Sequence, residues 1–81
     1  MNIYVGNLNY GVRETELQQV MEDFGPVTSV KVIMDRDTGR SRGFAFVEME
    51  NDADGSRIIE ELNGAEFEGR TMVVKEARPK F

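Results

Sequence analysis

Residues 42–49 alternate strictly between two kinds of side chain, and this alternation constrains the fold more than any other feature of the chain. Gly43, Ala45, Val47 and Met49 are small or aliphatic, whereas the positions between them read Arg42, Phe44, Phe46, Glu48. A period of two is typical of a β-strand whose faces meet different surroundings. Because arginine and glutamate are almost never fully buried unless paired, the phenylalanine face is predicted to be exposed to solvent. Exposed rings of this kind favour an interaction surface.

Size and composition exclude several classes of protein. The 81 residues are enough for one domain, so we expect a single domain over residues 1–81. The chain contains no cysteine and no histidine, which excludes disulfides and removes the commonest metal ligand and general base. We therefore expect no cofactor and no metal. The first apolar run, residues 3–8, is too short for a signal peptide or a membrane span. We therefore expect an intracellular protein, which would be cytoplasmic if it is bacterial. We also expect a monomer.

The charges are segregated along the chain. The formal net charge is −5, which is unusual for a protein that binds nucleic acid. Residues 1–10, 30–49 and 70–81, assigned to the strands and adjacent loops, nevertheless carry a net charge of +4. Residues 11–29 and 50–69, which contain the helices, carry −9. One side of the molecule can therefore attract an anion while the molecule as a whole repels it. A Glu-rich helical surface that serves solubility explains the acidity equally well.

The rest of the pattern predicts a regular order of elements. Apolar residues at helical spacing predict two helices, one at 14–24 that ends at Gly25-Pro26, and one that ends at Leu62 and is capped by Asn51 or Asp52. Period-two stretches predict further strands at residues 2–6, 27–34 and 70–77, with a turn or short strand pair at 65–69. In the second strand, Val30, Val32 and Met34 are predicted to point inward, and Lys31 and Ile33 outward.

This order, β-α-β-β-α-β, predicts an α+β fold. Two amphipathic helices need a surface to cover their apolar stripes, and the sheet offers one apolar face. We therefore predict a two-layer ferredoxin-like sandwich, with a four-stranded antiparallel sheet, both helices on one face and the other face open to water.

Two segments resemble the signature motifs of the RNA recognition motif family. Residues 42–49 match that family's octamer, K/R-G-F/Y-G/A-F-V-x-F/Y, at every position except the last, where Met49 replaces an aromatic residue. Residues 3–8, Ile-Tyr-Val-Gly-Asn-Leu, resemble its hexamer. The resemblance covers nearly the whole chain. In size, the chain resembles the small single-domain members of the family that are found in bacteria. It implies that the first and third strands are neighbours at the centre of the sheet.

The resemblance also implies a role for particular residues. Tyr4, Phe44 and Phe46 would form an aromatic platform that stacks on unpaired bases. Arg42 matches the position that pairs with a backbone phosphate. Further residues on or beside that face would form a positive rim (Lys31, Lys75, Arg78) or read base edges by hydrogen bonds (Asn2, Glu48). The expected partner is single-stranded RNA, with single-stranded DNA as a second candidate, and no membrane or small-molecule substrate.

Two other functional classes compete with this interpretation. Some members of the family bind peptides on the sheet or helices, but these usually lack one or more platform rings, and this chain keeps all three. Acylphosphatase-like hydrolases share the predicted fold, yet no glycine-rich phosphate cradle precedes the one arginine of the 8–13 loop. We therefore predict a non-enzymatic RNA-binding module. Its base preference does not follow from strand alternation.

Overall fold

The computed structural model describes residues 1–39 and 41–77, without the side chains of Ser41 and Arg42. Within these residues the chain forms six strands and two helices. In order they are β1 (Asn2–Gly6), α1 (Glu14–Glu22), β2 (Val27–Met34), β3 (Ser41–Met49), α2 (Asp52–Leu62), β4 (Glu66–Phe67), β5 (Arg70–Thr71) and β6 (Val73–Glu76). The predicted two-layer ferredoxin-like α+β arrangement is confirmed.

The main sheet is antiparallel and has the strand order β2-β3-β1-β6. The two strands that carry the motifs, β1 and β3, are therefore central neighbours. Their register pairs Tyr4 with Phe46 and Asn2 with Glu48. Because side chains of directly opposed residues stand on the same face, this register fixes which residues share the open surface.

The core lies between the inner face of the sheet and the two helices. α1 packs against β2, and α2 packs mainly against β6. The inward residues of the central strands are fully buried, as the alternation predicts: Ile3, Val5, Ala45, Val47, Met49. They meet Leu17 and Met21 of α1 and Ile58 of α2, all with no exposed surface. Burial of each large aliphatic side chain contributes about 1.5–3 kcal/mol to folding before entropic costs.

Met34 does not point into the core, so that part of the prediction for β2 is wrong. Its side chain is 53% exposed, whereas Val32 is buried. The pairing of β2 with β3 shifts register between Val32 and Met34, where Met34 lies opposite Ser41. A local irregularity of this kind interrupts the alternation of faces, so counting by twos from Val32 places Met34 on the wrong side.

The last predicted strand, residues 70–77, is divided in two. Arg70–Thr71 pairs with Glu66–Phe67 in a small separate hairpin, and only Val73–Glu76 joins the main sheet. Between them, Met72 exchanges backbone hydrogen bonds with Gly64 and Ala65 and is buried. Met72 and Val74 are buried, whereas Val73 and Lys75 are exposed, which is the alternation of a strand with one covered face.

The helix boundaries differ slightly from those predicted. α1 ends at Glu22, two residues before Phe24, whose N–H bonds to the carbonyl of Met21. At its start, the Glu16 carboxylate accepts a hydrogen bond from the N–H of Arg13, which compensates for an unfavourable N-cap residue. Asn51 is the N-cap of α2. Neither helix has the length and apolarity that crossing a membrane requires.

Candidate nucleic-acid interface

Three aromatic rings form one cluster on the face of the sheet opposite the helices. The ring centroid of Tyr4 lies 5.9 Å from that of Phe44 and 5.8 Å from that of Phe46. The two phenylalanine centroids are 6.1 Å apart, with the rings nearly perpendicular. These separations are typical of interacting aromatic pairs. Phe46 is 40% exposed, while Tyr4 and Phe44 are half-buried by their neighbours. The predicted face for all three rings is confirmed.

Two lysines flank the rings in a single row across the four strands. Lys31 lies opposite Phe46, Phe46 opposite Tyr4, and Tyr4 opposite Lys75. The ammonium nitrogen of Lys75 lies over the Tyr4 ring, 5.3 Å from its centroid, which is within the range of a cation–π interaction. The structure thus brings Lys31 and Lys75 together with the rings, where each exposed ammonium can meet an anion.

Gly6 provides the floor on which the Tyr4 ring rests. A Cβ atom added at Gly6 would lie 2.7 Å from two carbon atoms of that ring. Real side chains do not approach so closely, so any other residue would displace the ring. The Tyr4 ring therefore lies along β1 and covers the backbone of Gly6, two residues further along the strand. Gly6 belongs to the hexamer but was not singled out from the sequence as a site residue.

A polar row lies beside the aromatic row. Glu48 faces Asn2 on one side and Ser29 on the other. The Glu48 side chain is exposed, and Asn2 is half-buried. Within the described part of the chain, neither side chain has a hydrogen-bond or ion-pair partner. Both are therefore available to a ligand that lies on the rings.

The description of the structure does not include the side chains of the two arginines predicted for this site. Arg42 belongs to β3, but its side chain is outside the described structure. Arg78 lies outside the described residues altogether. Their roles therefore stay predictions.

A set of hydrogen bonds braces the end of β1, and sequence reasoning missed it. The Asn7 side-chain amide donates to the carbonyl of Thr71 at 2.6 Å, and its oxygen accepts from the guanidinium of Arg70 at 2.8 Å. Asn7 also adopts a left-handed backbone conformation, with φ 58°, which asparagine tolerates better than most residues. The Asn9 amide donates to the carbonyl of Glu68. The loop after β1 is thereby tied to the β4–β5 hairpin.

Gly43 permits a close approach between β3 and the same loop. Its φ is 82°, and a Cβ at this position would lie 3.2 Å from the Leu8 carbonyl oxygen. The Leu8 N–H donates to the Gly43 carbonyl at 2.8 Å. Glycine is therefore favoured at this position of the octamer, because a side chain would disfavour both the positive φ and the close approach to the Leu8 carbonyl.

The ring surface is open rather than enclosed. A cavity of about 470 Å³ lies elsewhere, between the start of α1 and the end of β2, where Tyr10, Val12 and Met34 line it. Because flat ligands such as nucleobases stack on exposed rings, an open surface suits them better than it suits a small substrate that must be surrounded.

The fold and this surface together define a class of protein: a two-layer sandwich that presents aromatic side chains on an uncovered sheet. The family model described as RNA recognition motif matches residues 3–73. The chain belongs to the RNA recognition motif family.

Relatives and solved structures agree with this assignment. RbpE of a Nostoc species, which bears the name of an RNA-binding protein, is 50% identical over 99% of this chain and 81% of its own length. The crystal structure of RNA binding protein PG1 is 61% identical, with a TM-score of 0.93, and 99% of each chain is covered. The RRM of RNA15 with bound RNA is 27% identical, with a TM-score of 0.87, and 96% of this chain and 83% of that one are covered.

Proposed function

We propose that this chain binds single-stranded RNA on the open face of its sheet, without catalysis. The observation that carries the proposal is the cluster of Tyr4, Phe44 and Phe46, with centroids about 6 Å apart on the face away from the helices. Three large rings on a solvated surface are costly unless they gain a partner. Membership of the RNA recognition motif family and RNA-bound relatives support RNA as that partner.

Base stacking supplies most of the binding free energy. Each unpaired base that stacks on a ring contributes about 1–3 kcal/mol, as measured by alanine substitution. The bases of a duplex are already stacked and paired, so they cannot lie flat on the sheet. The mechanism therefore selects single strands.

Positive side chains around the rings hold the phosphates. Lys31 and Lys75 flank the aromatic row, and we assign the same role to Arg42 and Arg78 from the family motif and the sequence. Asn2 and Glu48, beside the rings, are assigned to base edges. The low net charge of −5 predicts few phosphate contacts and weak non-specific binding.

The remaining properties follow as part of the same proposal. We assign one domain to residues 1–81, a monomeric state, and an intracellular location that the bacterial relatives support. Single-stranded DNA is a second ligand, weaker than RNA where the 2′-hydroxyl is contacted. The three rings and the RNA-binding relatives favour nucleic acid over a peptide ligand.

A competition experiment tests the proposal. A fluorescently labelled single-stranded RNA of random sequence is titrated with the protein, and unlabelled single-stranded RNA, duplex RNA and single-stranded DNA are added as competitors. We expect single-stranded RNA to compete best and duplex RNA to compete poorly. Equal competition by the duplex would contradict stacking, and absence of binding to any of the three would contradict the proposal itself.

A further inference from the structure

The open face is organised in rows of different chemistry. The row Lys31–Phe46–Tyr4–Lys75 carries rings and cations. The next row carries Ser29, Glu48 and Asn2, which are neutral or acidic. Glu48 follows Phe46 by two residues on the same strand, so the two rows are separated by roughly 7 Å. A base stacked on the Phe46 ring therefore extends one edge toward Glu48.

Glu48 presents a hydrogen-bond acceptor at that edge. Its side chain is exposed and has no cation within ion-pair distance among the described residues. An ionised carboxylate only accepts hydrogen bonds, through two oxygens. The neighbouring Asn2 amide can both donate and accept. The strongest partner for this pair of groups is a base edge with adjacent donors.

The four bases differ sharply in what they present there. Guanine has two parallel donors on its Watson–Crick edge, N1–H and the N2 amino group, which match the two oxygens of one carboxylate. Cytosine and adenine each place a single amino group beside an unprotonated ring nitrogen. Uracil places one N–H between two carbonyl oxygens, and these repel a carboxylate. Charge-assisted bidentate pairs are among the strongest and most geometrically specific hydrogen bonds.

We infer that Glu48 makes the subsite over Phe46 selective for guanine and unfavourable for uracil. The inference rests on the proposed RNA-binding function and specifies the base class that the site prefers. Glu48 thus acts in base selection rather than in general affinity. A carboxylate that only repelled phosphates would instead lower the affinity for every sequence equally.

Chemically matched RNAs separate these two roles. Three heptamers carry guanosine, inosine or uridine at the centre and uridine at every other position. Inosine lacks only the N2 amino group of guanosine, so it tests one donor. We expect the wild-type chain to bind the guanosine heptamer at least about fivefold more tightly than the inosine heptamer, a ratio within the range of a good bidentate base contact.

Three substitutions, each of which removes one negative charge, complete the experiment. Glu48→Gln should reduce the guanosine-to-inosine ratio to less than about twofold, because a neutral amide accepts through one oxygen only. Glu76→Gln, at an exposed position on β6, should leave that ratio unchanged. Glu48→Ala should also abolish the preference, and urea denaturation checks that each variant is folded.

The possible results are distinct. If wild-type protein binds all three heptamers equally, or if Glu48→Gln retains the preference, the assignment of Glu48 is wrong while RNA binding stands. A uniform gain in affinity for all three RNAs on Glu48→Gln, with no change in ratio, would also overturn it. If the wild-type chain binds none of them, the proposed function itself fails.

Discussion

The ammonium group of Lys75 lies 5.3 Å from the centroid of the Tyr4 ring, on the face of the sheet opposite the helices. Register explains this proximity, because Lys75 of β6 is directly opposite Tyr4 of β1. At an exposed site such an interaction contributes about 0.5–1 kcal/mol. In the free protein the cation therefore covers part of the ring. We expect a base that stacks on Tyr4 to displace the ammonium group toward the phosphate backbone.

Replacement of Lys75 by glutamine should weaken RNA binding and reduce its dependence on salt. The logarithm of the binding constant falls as the logarithm of the salt concentration rises. Removing one cation that pairs with a phosphate of a single strand makes this slope shallower by about 0.7. The slope is measured by titrations between low and physiological salt. Arg13→Gln is the matched control, because it removes one positive charge from the N-cap of α1 and not from a strand of the sheet. An identical salt slope in Lys75→Gln and wild type would exclude phosphate binding by Lys75.

Replacement of Phe46 by alanine should weaken RNA binding by about 1–3 kcal/mol through loss of one stacked base. The same change should cost little stability, since the ring is 40% exposed. Phe44→Ala should behave in the same way. Binding titrations and urea denaturation measure the two effects separately.

The opposite behaviour is expected for Ile58, which is buried between α2 and the sheet. Ile58→Ala should lower the free energy of unfolding by about 2–5 kcal/mol. Its RNA affinity should be unchanged wherever the variant remains folded. If Phe46→Ala unfolds the domain as readily as Ile58→Ala, the assignment of the two sheet faces is wrong.

Replacement of Gly6 by alanine should impair RNA binding without unfolding the domain. The new Cβ would lie 2.7 Å from carbon atoms of the Tyr4 ring, so the ring must move off the strand. We expect a severalfold loss of affinity and a shift in the NMR signals of the Tyr4 ring. Gly11→Ala, in a loop away from the rings, is the control and should retain the affinity. Full affinity in Gly6→Ala would show that the position of the Tyr4 ring is unimportant.

Replacement of Asn7 should destabilise the fold through the loss of two hydrogen bonds to the β5 strand. Each contributes about 0.5–1.5 kcal/mol. Asn7→Ala should cost more than Asn7→Gly, because a left-handed backbone costs a non-glycine residue about 1–2 kcal/mol. Urea denaturation of the two variants gives the difference. Equal stability of both variants and wild type would mean that this brace does not contribute to folding.

The sequence was most informative where the structure depends on local pattern. The alternation through Phe44 and Phe46 correctly predicted an exposed ring surface, because side chains two residues apart on a strand point to the same face of the sheet. The first two strands were predicted with their observed bounds, 2–6 and 27–34. The pairing of β1 with β3 came from the family resemblance, because periodicity does not specify which strands are adjacent.

Features that depend on long-range interactions were not predicted. Met34 is exposed because a register shift interrupts the alternation, and strand periodicity gives no sign of such a shift. The brace at Asn7 joins residues 64 positions apart in the sequence through a side chain and a backbone carbonyl. The positive φ of Asn7 could have been suspected from the residue type, whereas its partners could not.

The location of bound RNA tests the central claim most directly. Uniformly ¹⁵N- and ¹³C-labelled protein is titrated with a pool of short single-stranded RNAs of random sequence, and chemical-shift changes are mapped by heteronuclear NMR. We predict that the largest changes fall on β1 and β3, including the ring signals of Tyr4, Phe44 and Phe46. Changes confined to α1 and α2, with these rings unaffected, would contradict RNA binding on the open sheet.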